Sequence, residues 1–505
     1  MSRYKNVALV LMLVALGKAT GFLKDLAFTF YHGVSSITDA YFLANSIASV
    51  IYMAIYSAIP VLIVPLYSRL LTAGCQKDID NRLSSGFFFF SIISMVVAVC
   101  VFGASHWLVV IFSGEVSGQV REFASVYLSI MALTFVLSTV VSLLNSVQSV
   151  NGVVIPSYIV PVVNNVIFCG GLYLYNSDEN FHQVLILGFF SWLFLVFVNL
   201  IISRRYFSFR LSSAFSYFSE RKFISIFLPA LMSFYVEQLN SFVGVFFATE
   251  LGVGAVSIFA YANKLNLIFL SVFLVFLTAS LFPRIAAVVA RNNQAELLRY
   301  LTACIRIVVI CSFPIVLYMS FYSHEIVAVL FHRGKFLSGD VIKVASIFSI
   351  VLLVMPLCLI RDIMNRVFFS HSNTLTPVLL SLVSLGVNYL VCSLFYIEYG
   401  LVALAVAFVA STIVNCTLAI YFVQRDERLV LFIASSKILL ICSIGAVAAY
   451  GVLYWLNQIF ASYWLVIFLP FAVVYFFGLY LLRVREVIVV GAHLRSLLLK
   501  LGGAG

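Results

Sequence analysis

Long apolar stretches, separated by short polar segments, fill this chain from about residue 6 to residue 482. A helix needs about 20 apolar residues to cross a hydrocarbon layer of ~30 Å, and each stretch is long enough. Within a bilayer every backbone N–H and C=O group needs a partner in the protein, so such stretches fold as helices. The sequence therefore predicts an all-α polytopic membrane protein. Its fourteen transmembrane helices are expected at about residues 6–31, 37–68, 84–112, 122–148, 155–175, 183–203, 223–249, 255–283, 300–331, 341–371, 377–396, 401–423, 429–457 and 463–482.

The charge of the chain is explained by membrane topology. Only 10% of the residues are charged, against about 25% in soluble chains. The net charge of +11 would suit nucleic acid, but its distribution favours another explanation. With the N-terminus in the cytoplasm, nineteen Lys and Arg residues fall in inner segments and four in outer segments. This positive-inside bias predicts cytoplasmic termini and gives no support for nucleic-acid binding. Its histidines and cysteines lack metal-ligand spacing, so no metal site is assigned.

An internal repeat links the two halves of the chain. Ala44 and Pro65 recur as Ala262 and Pro283, each pair 218 residues apart. Six predicted spans separate the copies, so both halves cross the membrane in the same direction. Such parallel repeats are typical of transporters that bind substrate between their halves. Chance similarity between apolar segments is the alternative.

The repeat predicts the domain organisation. Residues 1–210 are expected to form an N-terminal lobe of six helices and residues 211–425 a second lobe of six. Residues 426–505 add two further helices and a cytoplasmic tail.

The first span carries charges that a lipid-facing helix would avoid. Lys18 lies about 18 Å from the start of the span, near the bilayer centre, where a lysine costs about 2.5–3.5 kcal/mol. Lys18, Gly21 and Asp25 share one helical stripe, with Gly17 and Lys24 beside it. We expect this stripe to line a polar cavity. Lys264 also lies well inside its span in the second lobe, and the alternative for both of these lysines is structural pairing.

Four motifs, in order, give the sequence a family resemblance. They are Gly21-Phe22-x-Lys24-Asp25 with Thr38-Asp39-Ala40, Ser257-x-x-x-Tyr261-Ala262-Asn263-Lys264-Leu265, Leu330-Phe331-x-x-Gly334-x-Phe336, and Asn373-Thr374-x-Thr376-Pro377. This pattern resembles the MurJ/MviN lipid II flippases of the multidrug/oligosaccharidyl-lipid/polysaccharide exporter superfamily. The resemblance extends from about residue 6 to residue 425.

The resemblance implies a transporter without enzymatic activity or cofactor. It would move an undecaprenyl-diphosphate-linked saccharide, lipid II, from the inner to the outer leaflet of the bacterial cytoplasmic membrane by alternating access. It also implies a monomer, and it leaves contact with the cell-wall synthesis machinery open. The residues that it assigns to the substrate are Lys18, Lys24 and Lys264 at the diphosphate, with Asp25, Asp39 and Ser257 as polar companions.

The sequence departs from the family at several of these positions. The three lysines stand where the family has arginines, and lysine is a less directional phosphate ligand. Tyr52 stands where the family usually has a further basic residue. A tyrosine there is expected to stack on a sugar ring.

The driving force for transport is left open by the sequence. Glu237 and Asn388 are the nearest counterparts of a sodium site found in some family members. Pairing of Glu237 with Lys18 or Lys264 is the alternative. Sodium, protons and membrane potential all stay open as energy sources.

Other functions compete with lipid II transport. A flippase for another lipid-linked polysaccharide unit, such as O-antigen or exopolysaccharide, has the same chemistry. A cation-coupled drug exporter would favour an anionic cavity, whereas the candidates here are mostly basic. A membrane enzyme would require clustered carboxylates or a metal site, and the acidic residues are scattered.

Overall fold

This computed structural model of the protein describes residues 2–73, 76–206, 221–280, 284–285, 288–289, 291, 294–371, 373–423, 441–442, 447, 449–458, 464–482, 484 and 488. Within those ranges all regular structure is helical, and no strand occurs. The predicted all-α class is confirmed.

The helices of the N-terminal half follow the apolar stretches. Their bounds are α1 Ser2–His32, α2 Ser36–Ala48, α3 Ala54–Ala73, α4 Gln76–Phe112, α5 Gly118–Val150, α6 Ile155–Leu174 and α7 Phe181–Ser203. A π-helical turn, Ser49–Met53, joins α2 to α3, and a 3-10 turn, Asp178–Asn180, precedes α7.

The second half continues in the same way. Its helices are α8 Arg221–Thr249, α9 Ala255–Ser280, α10 Gln294–Phe321, α11 Ser323–Phe331, α12 Ser338–Val351, α13 Val354–Ser370, α14 Leu375–Tyr399, α15 Leu401–Val423 and α16 Trp464–Leu481.

Ten segments of the described chain are long and apolar enough to cross a membrane. Each coincides with one of the predicted spans. The first, seventh and eighth predicted spans are the helices α1, α8 and α9, and α9 contributes a shorter apolar segment, Ala255–Ser271. Most of the thirteenth predicted span, residues 429–457, lies outside the described residues, so the count of fourteen stays a prediction.

The π turn between α2 and α3 is supported by a neighbouring helix. A π turn interrupts the regular hydrogen-bond ladder of an α-helix. The Tyr235 hydroxyl of α8 donates a hydrogen bond of 3.0 Å to the Ile51 carbonyl oxygen within the turn. This contact satisfies a polar backbone group that lipid could not satisfy.

The chain divides into two compact units. The first comprises Met1–Tyr261, Val327–Val344 and Asn388–Leu404, and the second Ala262–Ile326, Ala345–Val387 and Ala405–Gly505. The predicted division into lobes at residues 210 and 425 stays a prediction.

Each unit has its own packing. In the first unit, a buried cluster that includes Tyr67, Phe87 and Leu143 joins α3, α4 and α5. In the second unit, the Tyr322 hydroxyl at the end of α10 donates to Asn457 Oδ1 over 3.1 Å.

Candidate functional site

The charged segment of α1 lies against α6. Lys24 and Asp25 are half-buried, whereas Lys18 is exposed. Lys24 Nζ lies 5.3 Å from the centre of the Phe168 ring on α6. A cation over an aromatic face is attracted by the ring quadrupole, so Phe168 holds the ammonium beside α6.

The two glycines of the stripe have a packing role. A Cβ atom at Gly17 would lie 3.7 Å from Pro161 Cγ, and one at Gly21 would lie 3.4 Å from Asn165 Nδ2. The glycines therefore let α1 and α6 approach closely. The expectation that Gly17 and Gly21 line a polar cavity is wrong, because they face a neighbouring helix.

Asp39 and Ser257 contact each other at the start of α9. The Asp39 carboxylate accepts hydrogen bonds from the Gly254 N–H, from the Ser257 N–H at 2.8 Å and from the Ser257 hydroxyl. The Ser257 hydroxyl also lies 2.9 Å from Thr38 Oγ1. Only 2% of Asp39 is exposed, so these contacts are buried within the protein.

This carboxylate acts as a helix cap supplied by a distant helix. The first N–H groups of any α-helix lack partners in their own helix, and a negative charge there is stabilised by the helix dipole. Asp39 on α2 accepts hydrogen bonds from N–H groups at the start of α9 and places a negative charge there. The substrate contact predicted for Asp39 and Ser257 stays a prediction, and the bonds formed here link α2 to α9.

Tyr52 lies in the π turn and points into the packing between that turn and α5. Its ring stacks on Phe135 at a centroid distance of 4.3 Å and an interplanar angle of 3°. Its hydroxyl donates to the Phe135 carbonyl oxygen at 2.6 Å and lies within 3.0 Å of the Ser138 hydroxyl and 2.5 Å of the Thr139 hydroxyl. The expectation that Tyr52 stacks on a sugar is wrong, because both its ring and its hydroxyl are used inside the protein.

Replacing Tyr52 with arginine, the basic type usual in the family, is expected to lower the thermal midpoint of the detergent-solubilised protein strongly. The guanidinium would be buried without an opposite charge in a site that now holds a neutral hydroxyl. Tyr52→Phe is the matched control and should lose less, about 1–3 kcal/mol of stability, because it keeps the ring and removes only the hydroxyl with its buried hydrogen bonds. A thermal midpoint for Tyr52→Arg equal to that of wild type would contradict this placement.

The two candidates for cation coupling, Glu237 and Asn388, lie on neighbouring helices. Asn388 contacts α8 at Asn240, one helical turn after Glu237. Asn388 Nδ2 on α14 donates to Asn240 Oδ1 at 2.9 Å and to the Asn240 carbonyl oxygen at 3.0 Å. Glu237 precedes Asn240 by three residues on α8 and is exposed. Asn388 is thus held at α8 near Glu237, and their role in coupling stays a prediction. Among the described residues, no group of three or more His, Cys, Asp or Glu side chains could hold a metal ion.

Lys264 belongs to the second unit and is half-buried on α9. It follows the buried Tyr261 by one helical turn and is followed by Asn266, which is 3% exposed. The structure thus brings Lys24 to α6, pairs Asp39 with Ser257, and places Lys264 in the second unit.

The predictions from sequence did not include Phe168 and Asn165, two of the α6 residues that contact the α1 stripe. Asn165 Nδ2 donates to Thr20 Oγ1 over 3.4 Å. An Asn in an apolar span is a signal in itself, because polar groups inside membranes seek partners on neighbouring helices. Phe168 carries no such signal among 49 phenylalanines.

These helices and the charges on α1 define a polytopic membrane protein with ionisable groups inside its first span, which is typical of transporters. The family model for the lipid II flippase MurJ matches residues 28–475. The chain therefore belongs to the MurJ family.

Individual relatives agree with this assignment. A probable lipid II flippase MurJ from Aquifex aeolicus (strain VF5) is 23% identical over 426 residues, which cover 82% of this chain and 81% of the relative. A solved structure of lipid II flippase MurJ in an inward closed conformation has a TM-score of 0.78 and 19% identity, with 93% of this chain and 98% of that chain covered.

The same fold occurs in more distant transporters. An inward-facing multidrug resistance MATE family transporter of the MOP superfamily has a TM-score of 0.67 and 13% identity, with 83% of this chain and 95% of that chain covered. An outward-facing conformation of such a transporter gives a TM-score of 0.59 at 14% identity, with the same coverage.

Proposed function

We propose that this protein is a flippase that moves lipid II, an undecaprenyl-diphosphate-linked saccharide, from the inner to the outer leaflet. The observation that carries the proposal, beside family membership, is the half-buried Lys24–Asp25 pair on α1. An ionisable group within a membrane span is costly, and it usually marks a substrate path.

The chemistry of the substrate fits these residues. A diphosphate needs cations along its path, and hydrogen bonds between charged partners are about twice as strong as neutral ones. Lys18, Lys24 and Lys264 would supply those cations. The lipid tail can stay in the bilayer, so only the polar head needs a hydrated passage.

Alternating access is the mechanism that the fold favours. MOP superfamily transporters of the same fold have been solved in inward-facing and outward-facing conformations. The contact between Asp39 and the first turn of α9 would then be made in one state and broken in the other.

The setting follows from the charge distribution. Membership of the MurJ family supports the bacterial cytoplasmic membrane as the location. The positive-inside bias supports an orientation with both termini in the cytoplasm. We propose that it acts as a monomer without a cofactor. Glu237 and Asn388 are the candidates for coupling to sodium or protons, with membrane potential as the alternative driving force.

A flippase for a different lipid-linked polysaccharide unit is the second candidate. It is favoured by lysines where the family has arginines, because an ammonium is a point charge without the guanidinium's planar fork. A drug exporter is disfavoured, since Lys18, Lys24 and Lys264 would repel cationic drugs.

Complementation tests the choice between these substrates. The resident lipid II flippase of a bacterium is depleted while this chain is supplied, and membrane insertion is checked with a tag. Growth with normal peptidoglycan is the expected result. The Lys24→Ala variant should fail, whereas Lys343→Ala, which removes an exposed lysine of α12, should support growth. Lysis of cells that contain the inserted wild-type chain would contradict lipid II as the substrate.

A further inference from the structure

Three ionisable side chains, none of them assigned to the substrate, meet at the end of α1. The His32 side chain is fully buried, and its Nδ1 lies 3.0 Å from Asp178 Oδ1. Lys335 Nζ lies 2.9 Å from the same oxygen. Asp178 belongs to the 3-10 turn before α7, and Lys335 to the loop between α11 and α12. One carboxylate oxygen therefore joins three segments that are far apart in the sequence.

The backbones of two of these segments are in direct contact. The Lys335 N–H donates to the Phe30 carbonyl oxygen over 3.0 Å. Gly33 and Gly334 have φ values of +55° and +59°. A Cβ atom at Gly33 would collide with the Lys335 carbonyl oxygen, and one at Gly334 with the Phe30 carbonyl oxygen. Only glycine permits both the turn and the approach at these two positions.

The surroundings of His32 favour its neutral form. The Phe28 and Phe181 rings lie 5.6 and 5.1 Å from the imidazole, and His32 Nε2 is buried without a hydrogen-bond partner. A second N–H on this ring would be buried and unsatisfied, which is costly.

The charged groups that act on His32 come from two other segments. They are Asp178 and Lys335, and the Tyr127 hydroxyl of α5 is the further titratable group beside Asp178. His32 lies just beyond the predicted span 6–31. Burial lowers the pKa of His32, Asp178 partly opposes this through its hydrogen bond and charge, and Lys335 adds to the lowering.

We propose that His32 is a positioning residue of a proton-sensitive latch, in which neutral His32 holds Asp178 against Lys335 and so keeps the end of α1 joined to the α11–α12 loop. The burial of His32 determines the direction of the pH effect. His32 binds a proton more readily when it is exposed to water than when it is enclosed, so acid favours separation and neutral pH favours the joined state. The positive-inside distribution places this latch at the outer face, where the pH outside the cell would act on it.

Hydrogen–deuterium exchange of the full-length protein in lipid nanodiscs tests the latch without any transport substrate. The reporter is the Lys335 N–H, followed in peptides from residues 328–344 at pH 7.5 and pH 5.5 and corrected for the intrinsic rate at each pH. Protection of this amide is expected to fall on acidification. If a single proton on His32 controls the separation, the fall is up to about tenfold per pH unit. The Arg204 N–H, which donates to the Leu200 carbonyl oxygen at the far end of α7, serves as the internal reference and should change less.

Three variants test whether the pH response comes from the latch or from an overall loss of stability at low pH. His32→Gln keeps a neutral donor for Asp178 and should abolish the pH response. His332→Gln removes an exposed histidine of the same loop and should keep the response. Lys335→Met should lower protection at both pH values, because the ion pair is lost. A wild-type protein without a pH response, a His32→Gln variant with the wild-type response, or unchanged protection in Lys335→Met would each overturn the proposal.

Discussion

Replacing Lys24 with alanine is expected to weaken lipid II binding roughly five- to 150-fold. The charge-assisted contact that the ammonium would make with a diphosphate is worth about 1–3 kcal/mol, and each 1.4 kcal/mol is a factor of ten in affinity. Lys18→Ala and Lys264→Ala should cause losses in the same range. The measurement is binding of lipid II to the purified full-length variants, beside a flipping assay in proteoliposomes.

Two controls sharpen this prediction. Lys24→Arg keeps the charge and should retain most of the binding, since guanidinium also binds phosphate. Lys343→Ala removes an exposed lysine from α12 and should bind as wild type does. Wild-type binding and flipping by all three alanine variants, at Lys18, Lys24 and Lys264, would contradict the cationic site.

Hydropathy predicted the helices well because a bilayer leaves the backbone few alternatives. An apolar stretch of about 20 residues must satisfy its own hydrogen bonds, so its length and composition suffice to place a helix. The predicted spans 155–175 and 401–423 match Ile155–Leu174 and Leu401–Val423 almost residue for residue. The π turn Ser49–Met53 was missed, because it depends on Tyr235, 184 residues from Ile51.

The side-chain contacts of the candidate site were predictable only in part. Periodicity placed Gly17 and Gly21 beside Lys24 on α1, but it could not say whether α6 or water lay opposite. The failure at Tyr52 has the same origin. Its neighbours Phe135 and Thr139 are more than 80 residues away in the sequence. No local sequence pattern predicts that an aromatic ring will stack inside the protein. Local composition finds charged groups, whereas their partners are set by tertiary packing.

Replacing Asp39 with alanine is expected to destabilise the protein by on the order of 2–5 kcal/mol. The Gly254 and Ser257 N–H groups would lose their acceptor while buried, and each unsatisfied buried group costs about 1–3 kcal/mol. The loss also removes a negative charge from the start of α9, where the helix dipole favours it. The thermal midpoint of the detergent-solubilised variant should fall accordingly.

The chain offers a matched control for Asp39, since Asp340 also caps a helix. Asp340 Oδ2 accepts the Leu337 N–H at 3.0 Å before α12, in an exposed position. Asp340→Ala should cost about 0.5–2 kcal/mol, because water can replace the lost acceptor. Asp39→Asn should fall between Asp39→Ala and wild type, since its amide oxygen can still accept one backbone N–H while the charge is lost. Equal thermal midpoints for Asp39→Ala and Asp340→Ala would mean that burial adds nothing to the Asp39 cap, and the link between α2 and α9 would then contribute little to stability.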